Sequence, residues 1–207
     1  MKIHIIDYDA GNIESIRNAL KKIGCEPVTT NKPKDLFKAK AIIFPGQGSF
    51  PAAMKKLNKN GIDKTLIELI NNKMPFIGIC LGLQLMFTNS EEGQCNGLNL
   101  FKGTVPKIPD SVKVPHIGWN NVSFNKSHPI FNGIPDNSYF YFLHSYYVNP
   151  DNLDNIIAQT NYGLEFCSAY AYENYVGLQF HPERSWDYGL KIYQNFINKL
   201  IYYKFQC

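Results

Sequence analysis

Pro75-Phe76-Ile77-Gly78-Ile79-Cys80-Leu81-Gly82-Leu83-Gln84 is the stretch from which the fold can be read. Residues 76–79 are a short apolar run behind a proline, the pattern of a buried strand. From Leu81 the apolar residues continue at helical spacing to Phe87. A strand that becomes a helix within one or two residues strains its corner, and glycines two places before and two places after Cys80 relieve the crowding. This is the logic of a nucleophile elbow with sulfur in place of oxygen. The corner residue is carried past the end of the sheet to the N-terminus of the next helix, a position that favours a thiolate. The competing reading is a structural cysteine buried in an α/β core.

Outward from that corner, the N-terminal part alternates strands and helices. Residues 3–6 form a first strand running into the polar turn Asp7-Tyr8-Asp9-Ala10-Gly11-Asn12. Asn12 is a suitable N-cap for a helix with Ile13, Ile16, Leu20 and Ile23 on one stripe, and Gly24 is its stop. Residues 26–30 make a second strand. Residues 41–44 make a third, apolar throughout and ending at the turn Pro45-Gly46-Gln47-Gly48-Ser49-Phe50-Pro51. A helix over 64–72 precedes the strand into Cys80. This order predicts a doubly wound α/β fold with a mostly parallel sheet, and the turns after the first, third and fourth strands should converge on one site.

Beyond residue 91 the pattern changes to Gly-, Pro- and polar-rich sequence with an extended piece at 98–105. Strand-like runs follow at 119–124, 139–148, 156–160, 167–172 and 175–180, read as an antiparallel extension of the sheet. A last helix carries Leu190, Tyr193, Phe196, Ile197 and Leu200 on one face. No repeat or linker interrupts the 207 residues, so one domain over 1–207 is expected.

Composition narrows the function classes. With 44% apolar and 18% charged residues the chain can bury an ordinary core and is not a disordered type. The net charge of +4 is scattered, so nothing points to nucleic acid or a membrane surface, and no apolar window is long enough to span a bilayer. The N-terminus reads as a strand and not a signal peptide. Cysteines 25, 80, 95, 167 and 207 are odd in number and far apart, which argues for a reducing cytoplasm and against a disulfide framework or a zinc site.

A cysteine nucleophile needs a base and a group to orient it. His181-Pro182-Glu183, at the end of the last strand, offers both: in an extended segment, residues two apart project to the same side. Of the other histidines, His4 reads as a packed or edge residue and His128 as a solvated one, while His116 and His144 sit near aromatic residues and could line a pocket. For the oxyanion formed when sulfur attacks a carbonyl, the Leu81 N–H comes with the elbow, and Gly46-Gln47-Gly48 can turn another inward. Losing one such donor typically costs about 3 kcal/mol of barrier. Cysteine and histidine alone would also suit a peptidase, but no peptide groove can be read.

Together with Pro115-His116-Ile117-Gly118-Trp119-Asn120, Tyr141-Phe142-Leu143-His144-Ser145-Tyr146-Tyr147 and Gly177-Leu178-Gln179-Phe180-His181-Pro182-Glu183-Arg184-Ser185, these segments span almost the whole chain. They resemble a class I, triad-type glutamine amidotransferase, and within that class the glutaminase subunit of imidazole glycerol phosphate synthase. The resemblance implies a flavodoxin-like architecture and a Cys80, His181, Glu183 triad. It implies that Gln84, with backbone groups of Ser145 and Tyr146, holds glutamine, and that Gly46 to Gly48 form the oxyanion strand. It further implies no cofactor and no metal. Ammonia would pass through a tunnel to a (β/α)8-barrel synthase in a heterodimer, with Asn12, Tyr141 and Arg184 facing that partner. The sequence departs from the family at Asp9, where glycine is usual, and at Gln47, where a small apolar residue is usual. Related subunits in some bacteria feed ammonia to a sugar for surface glycans. That destination stays open beside histidine biosynthesis, as does an idle module that only binds the barrel.

Overall fold

The computed structural model describes residues 1–9 and 11–201, with side chains described through residue 198. In chain order the first half runs β1 (Lys2–Ile6), α1 (Ile13–Lys22), β2 (Glu26–Thr30), α2 (Pro33–Leu36), β3 (Ile42–Phe44), α3 (Phe50–Asn60), α4 (Ile62–Asn71), β4 (Phe76–Ile79) and α5 (Leu81–Gln84). The second half runs β5 (Asn89–Ser90), β6 (Cys95–Asn96), β7 (Gly103–Val105), β8 (His116–Phe124), β9 (Ser138–His144), β10 (Asn149–Pro150), β11 (Ile156–Asn161), β12 (Glu165–Tyr172), β13 (Tyr175–Leu178) and α6 (Trp186–Asn195).

The main sheet has nine strands in the order β2-β1-β3-β4-β13-β12-β11-β8-β9. The first five are mutually parallel and the rest antiparallel. The parallel order 2-1-3-4-5 is that of flavodoxin-like sheets, as expected. Strand residues alternate between two cores. Ile3, Ile5, Ile43, Ile77 and Val176 join α1 and α6 on one face. Ile6, Ile42, Phe44, Phe76 and Tyr175 join α3 and α4 on the other. Asn12 caps α1 by accepting from the Ser15 N–H, and Gly24 follows the helix at φ +78°, as the sequence predicts.

Several expectations are corrected. The helix α3 was not foreseen: its charged and polar residues blur the apolar stripe of Phe50, Ala53, Met54 and Leu57. The next helix begins at Ile62, earlier than residue 64. The helix after Cys80 stops at Gln84, short of Phe87, because N–H groups of residues 98–101 capture the carbonyls of Leu85, Met86 and Phe87. The extended piece at 98–105 is paired only over β7, within a separate small sheet ordered β10-β7-β5-β6. The run 139–148 breaks after His144, where Ser145 and Tyr146 turn into the cavity below. The last helix, expected to run through Leu200, ends as α6 at Asn195 and continues as a π-helical segment over Phe196–Ile201. Tyr193, Phe196 and Ile197 are buried and Leu190 is half-buried, while the side chain of Leu200 lies outside the described residues, as does Cys207.

A Cβ on Gly82 would stand 2.0 Å from the Phe44 carbonyl oxygen, whereas one on Gly24 would meet nothing within 4 Å. Gly82→Ala is therefore expected to destabilise by more than about 3 kcal/mol, the upper range for overpacking. Gly24→Ala should cost only the left-handed backbone term of about 1 kcal/mol. Urea unfolding of the two variants checks this, and equal losses would contradict it.

Candidate active site

Cys80 sits between β4 and α5 with φ +53° and ψ −110°, a conformation strained for a residue with a side chain. The neighbouring glycines allow it. A Cβ on Gly78 would meet the Tyr175 hydroxyl and the Gly82 carbonyl at 2.7 and 2.8 Å. A Cβ on Gly46 would meet the Leu81 Cβ, the Gly82 nitrogen and the Tyr8 hydroxyl, all at 2.7 Å. Gly46 thus lets the turn after β3 press against the elbow. The Tyr8 hydroxyl, buried there, is held in its acid form by burial first and then by Cys80.

The residues around the thiol line a cavity of about 360 Å3. Gln47, Gly48, Cys80, Leu81, Gln84, Ser145 and Tyr146 all reach it, together with Glu92, Pro115, Leu143 and His144. Gly46 does not line it but lies buried behind, while Gly48 turns the loop at φ +92°. Gln47 reaches the cavity, and its buried Nε2 has no hydrogen-bond partner. The turns after the third and fourth strands meet at this cavity, whereas the turn after the first does not line it: Asp9 and Gly11 edge a second hollow shared with Gln47 and Gly48.

His181 is buried behind the sulfur. Its Nδ1 bonds the Glu183 Oε1 at 2.8 Å, and its Nε2, without another partner, lies beside Cys80. Burial alone would lower the imidazole pKa. The Cys80 sulfur and then Glu183 outweigh burial and hold it above the ordinary histidine value. The pairing was expected from an extended segment, but residues 182–184 form a 3₁₀ turn, which brings Glu183 back under the ring. The backbone of His181 is pinned to β9: its N–H donates to the Tyr141 carbonyl (2.8 Å), and the Ser185 hydroxyl donates to the His181 carbonyl (2.7 Å) while accepting from the Tyr141 N–H (3.0 Å).

Gln84 is fixed from one side. Its Nε2 donates to the Tyr146 carbonyl (2.7 Å) and to the Gln179 Oε1 (3.1 Å), which leaves its own oxygen for a ligand. Gln179, not foreseen in the sequence, is fully buried with its Nε2 3.6 Å from the Cys80 sulfur. Its position next to the last strand's end was the available signal. Tyr193 was foreseen only as core. Its hydroxyl is held in the acid form by burial first and then by the Glu183 carboxylate, which puts it beside the His181–Glu183 pair.

On the surface beside the site, the Arg184 guanidinium lies 5.6 Å over the Tyr141 ring. Trp119 packs on Tyr141 and, at 4.6 Å between centroids, on Trp186. Ile117, Trp119, Tyr139 and Trp186 are all exposed there. Asn12 lies elsewhere in the chain's turns, with its side-chain oxygen occupied by the α1 cap. His128, expected to be solvated, is half-buried and accepts the Ile130 N–H at its Nδ1 (3.2 Å). Among the described residues no cluster of three or more metal-ligating side chains is present, and no helix is long and apolar enough to cross a membrane.

The parallel order of the sheet and a cysteine elbow backed by a histidine–carboxylate pair define a triad-type amidotransferase architecture. The family model for class-I glutamine amidotransferases matches residues 4–200, and the chain belongs to that family. It is 43% identical over 195 residues to the imidazole glycerol phosphate synthase subunit HisH of Dehalococcoides mccartyi, covering 94% of this chain and 95% of the relative. It is 45% identical over 199 residues to the subunit of the same name from Methanocaldococcus jannaschii, covering 96% and 100%. Its fold matches a chain in the structure of PurLQS from Thermotoga maritima with a TM-score of 0.74 at 19% identity, covering 96% and 98%.

Burial lowers the pKa of His4, His116, His128 and His144. The folded protein keeps these rings neutral, whereas the unfolded chain protonates them near pH 6.5. Unfolding therefore takes up protons, and their contribution to stability is lost as pH falls from about 6.5 toward about 4. His181 is shifted the other way: its contribution is present below about pH 6.5 and lost only as pH rises through its folded value. With four rings against one, the melting temperature should be lower at pH 5 than at pH 7. An unchanged value would contradict the burial shifts.

Proposed function

We propose that residues 1–207 form one glutaminase domain, the subunit of an imidazole glycerol phosphate synthase that hydrolyses glutamine for histidine biosynthesis in the cytoplasm. The observation that carries this reading is one cavity edged by the strained Cys80 corner, with the His181–Glu183 pair buried behind the sulfur and Gln84 fixed on the wall. The identity to subunits named for that synthase supports the pathway over a sugar acceptor.

In the reaction, glutamine lies with its side-chain amide over Cys80, its polar groups met by Gln84 and by backbone of Ser145 and Tyr146. The Cys80 thiolate attacks the amide carbon. The oxyanion is stabilised by N–H groups of Leu81 and of the loop carrying Gln47 and Gly48, with Gly46 as the spacer that lets the loop approach. His181, protonated and oriented by Glu183, gives its proton to the leaving nitrogen, and the carbon–nitrogen bond breaks to release ammonia and leave a thioester. Water, deprotonated by the now neutral His181, attacks the thioester. The carbon–sulfur bond breaks, glutamate leaves, and thiolate and imidazolium are restored.

Ammonia is useful to a synthase only if it is kept from water, so the subunit works docked on a (β/α)8-barrel partner. The exposed Ile117, Trp119, Tyr139 and Trp186 form an apolar patch of the kind that marks an interface, and the patch adjoins Tyr141 and Arg184. We take Asn12, the N-cap of α1, to reach the same partner from outside that patch.

Glutaminase activity, assayed with the barrel partner, should vanish in Cys80→Ala, and activity surviving that change would sink the nucleophile assignment. The chain with its native partner should rescue a histidine auxotroph lacking its own glutaminase subunit. Failure would move the acceptor to another pathway. Trp186→Ala should weaken binding of the partner at least roughly tenfold, as expected for a buried aromatic anchor. An unchanged Kd would remove the patch from the interface.

A further inference from the structure

His116 and His144 face each other across the β8–β9 ladder, and the reaction derived above uses neither. Both are buried, at 3% and 6% exposure, and His116 is stacked between Tyr162 and Phe142 with centroids 3.9 and 4.8 Å away. Their hydrogen bonds determine where the protons lie. The His144 Nδ1 is 2.9 Å from the Tyr146 carbonyl oxygen, which can only accept, so Nδ1 carries the hydrogen. Burial keeps the ring neutral, and its Nε2 is then a lone pair. The His116 Nδ1, 3.0 Å away, must donate to it. The His116 Nε2 is left as an acceptor, 3.4 Å from the Asn120 amide nitrogen. A single assignment, Nδ1–H on both rings, satisfies every contact, and it is the tautomer less favoured in water.

The chain of donors ends on a carbonyl that matters. The Tyr146 oxygen accepts from His144 and from the Gln84 Nε2 (2.7 Å), and because a carbonyl fixes which end of Gln84 is the amine, it also fixes the direction of the Gln84–Gln179 bond (3.1 Å). Gln179 is thereby left with its Nε2 toward the Cys80 sulfur. We propose that His144, oriented by His116, is a positioning residue for glutamine: it holds the Tyr146 carbonyl, and through it Gln84, in the geometry that receives the substrate. This rests on the glutaminase reading above. Neither ring touches the reacting atoms. Their contribution is to make the cavity wall rigid before substrate arrives, so that binding orders fewer groups.

The test separates hydrogen bonding from packing. Asn at position 144 can still donate from its Nδ2 to the Tyr146 carbonyl but leaves part of the ring's volume empty; Phe fills the volume but cannot donate. H144F is expected to raise KM for glutamine roughly tenfold, with a smaller change in kcat, because the lost contact acts on bound substrate and transition state alike. H144N is expected to stay within about threefold of wild type on KM. An active wild type in which the KM of H144F is no higher than that of H144N overturns the positioning role alone. A wild type that hydrolyses no glutamine with its partner present overturns the glutaminase reading and, with it, this proposal. If H144F does not fold, ring-nitrogen NMR of the wild type at neutral pH decides the matter. Both rings should be neutral with hydrogen on Nδ1, and an Nε2–H or doubly protonated ring at either position overturns the assignment.

Discussion

The close approach of Gly82 to the Phe44 carbonyl is the contact on which the site depends. It brings the first turn after Cys80 against the end of β3 with no room for a side chain, and Gly46 repeats the arrangement from the other direction. Two backbone segments from different strands can then lie side by side at the cavity edge, one carrying the sulfur and one able to offer N–H groups. The positive φ of Cys80 is the strain this imposes, and the parallel strands packed on both faces hold the corner in place. A methyl group at either glycine would push the Cys80 corner and the loop of Gly46 to Gly48 apart.

The histidine side is built differently. His181 comes from the end of β13, but its backbone is held by β9, which belongs to the antiparallel half of the sheet. His181 therefore sits at the seam between the two halves. Tyr141 supplies the backbone groups that pin His181 and Ser185, and its ring lies under Arg184 at the surface. The same strand thus reaches from the buried His181 to the exposed aromatic patch and, through Ser145 and Tyr146 just beyond it, to the cavity wall.

Much of this was legible in the sequence because the signals were local. The elbow, the Asn12 cap, the Gly24 stop and the His-Pro-Glu segment each depend on residues within a few positions of one another, and all lie where they were expected. Contacts made only by tertiary closure were not legible. Nothing near Gln84 in sequence reveals that Gln179, 95 residues later, would orient it, and no local pattern pairs His116 with His144. The α3 helix was hidden because its lysines and asparagines interrupt the apolar stripe, and the small sheet because strands of two or three residues carry no usable periodicity. The 3₁₀ turn at Glu183 gives the same hydrogen bond as an extended chain would, so the right partner could be reached from the wrong backbone.

The stacked Trp119–Trp186 pair has an optical consequence. The chain has two tryptophans in all, and both are in this exposed pair, one on β8 and one at the start of α6. Indole emission from the protein consequently originates at one surface and not from its core. Its wavelength reports the wetness of that patch directly, and it shifts to the blue when anything covers it.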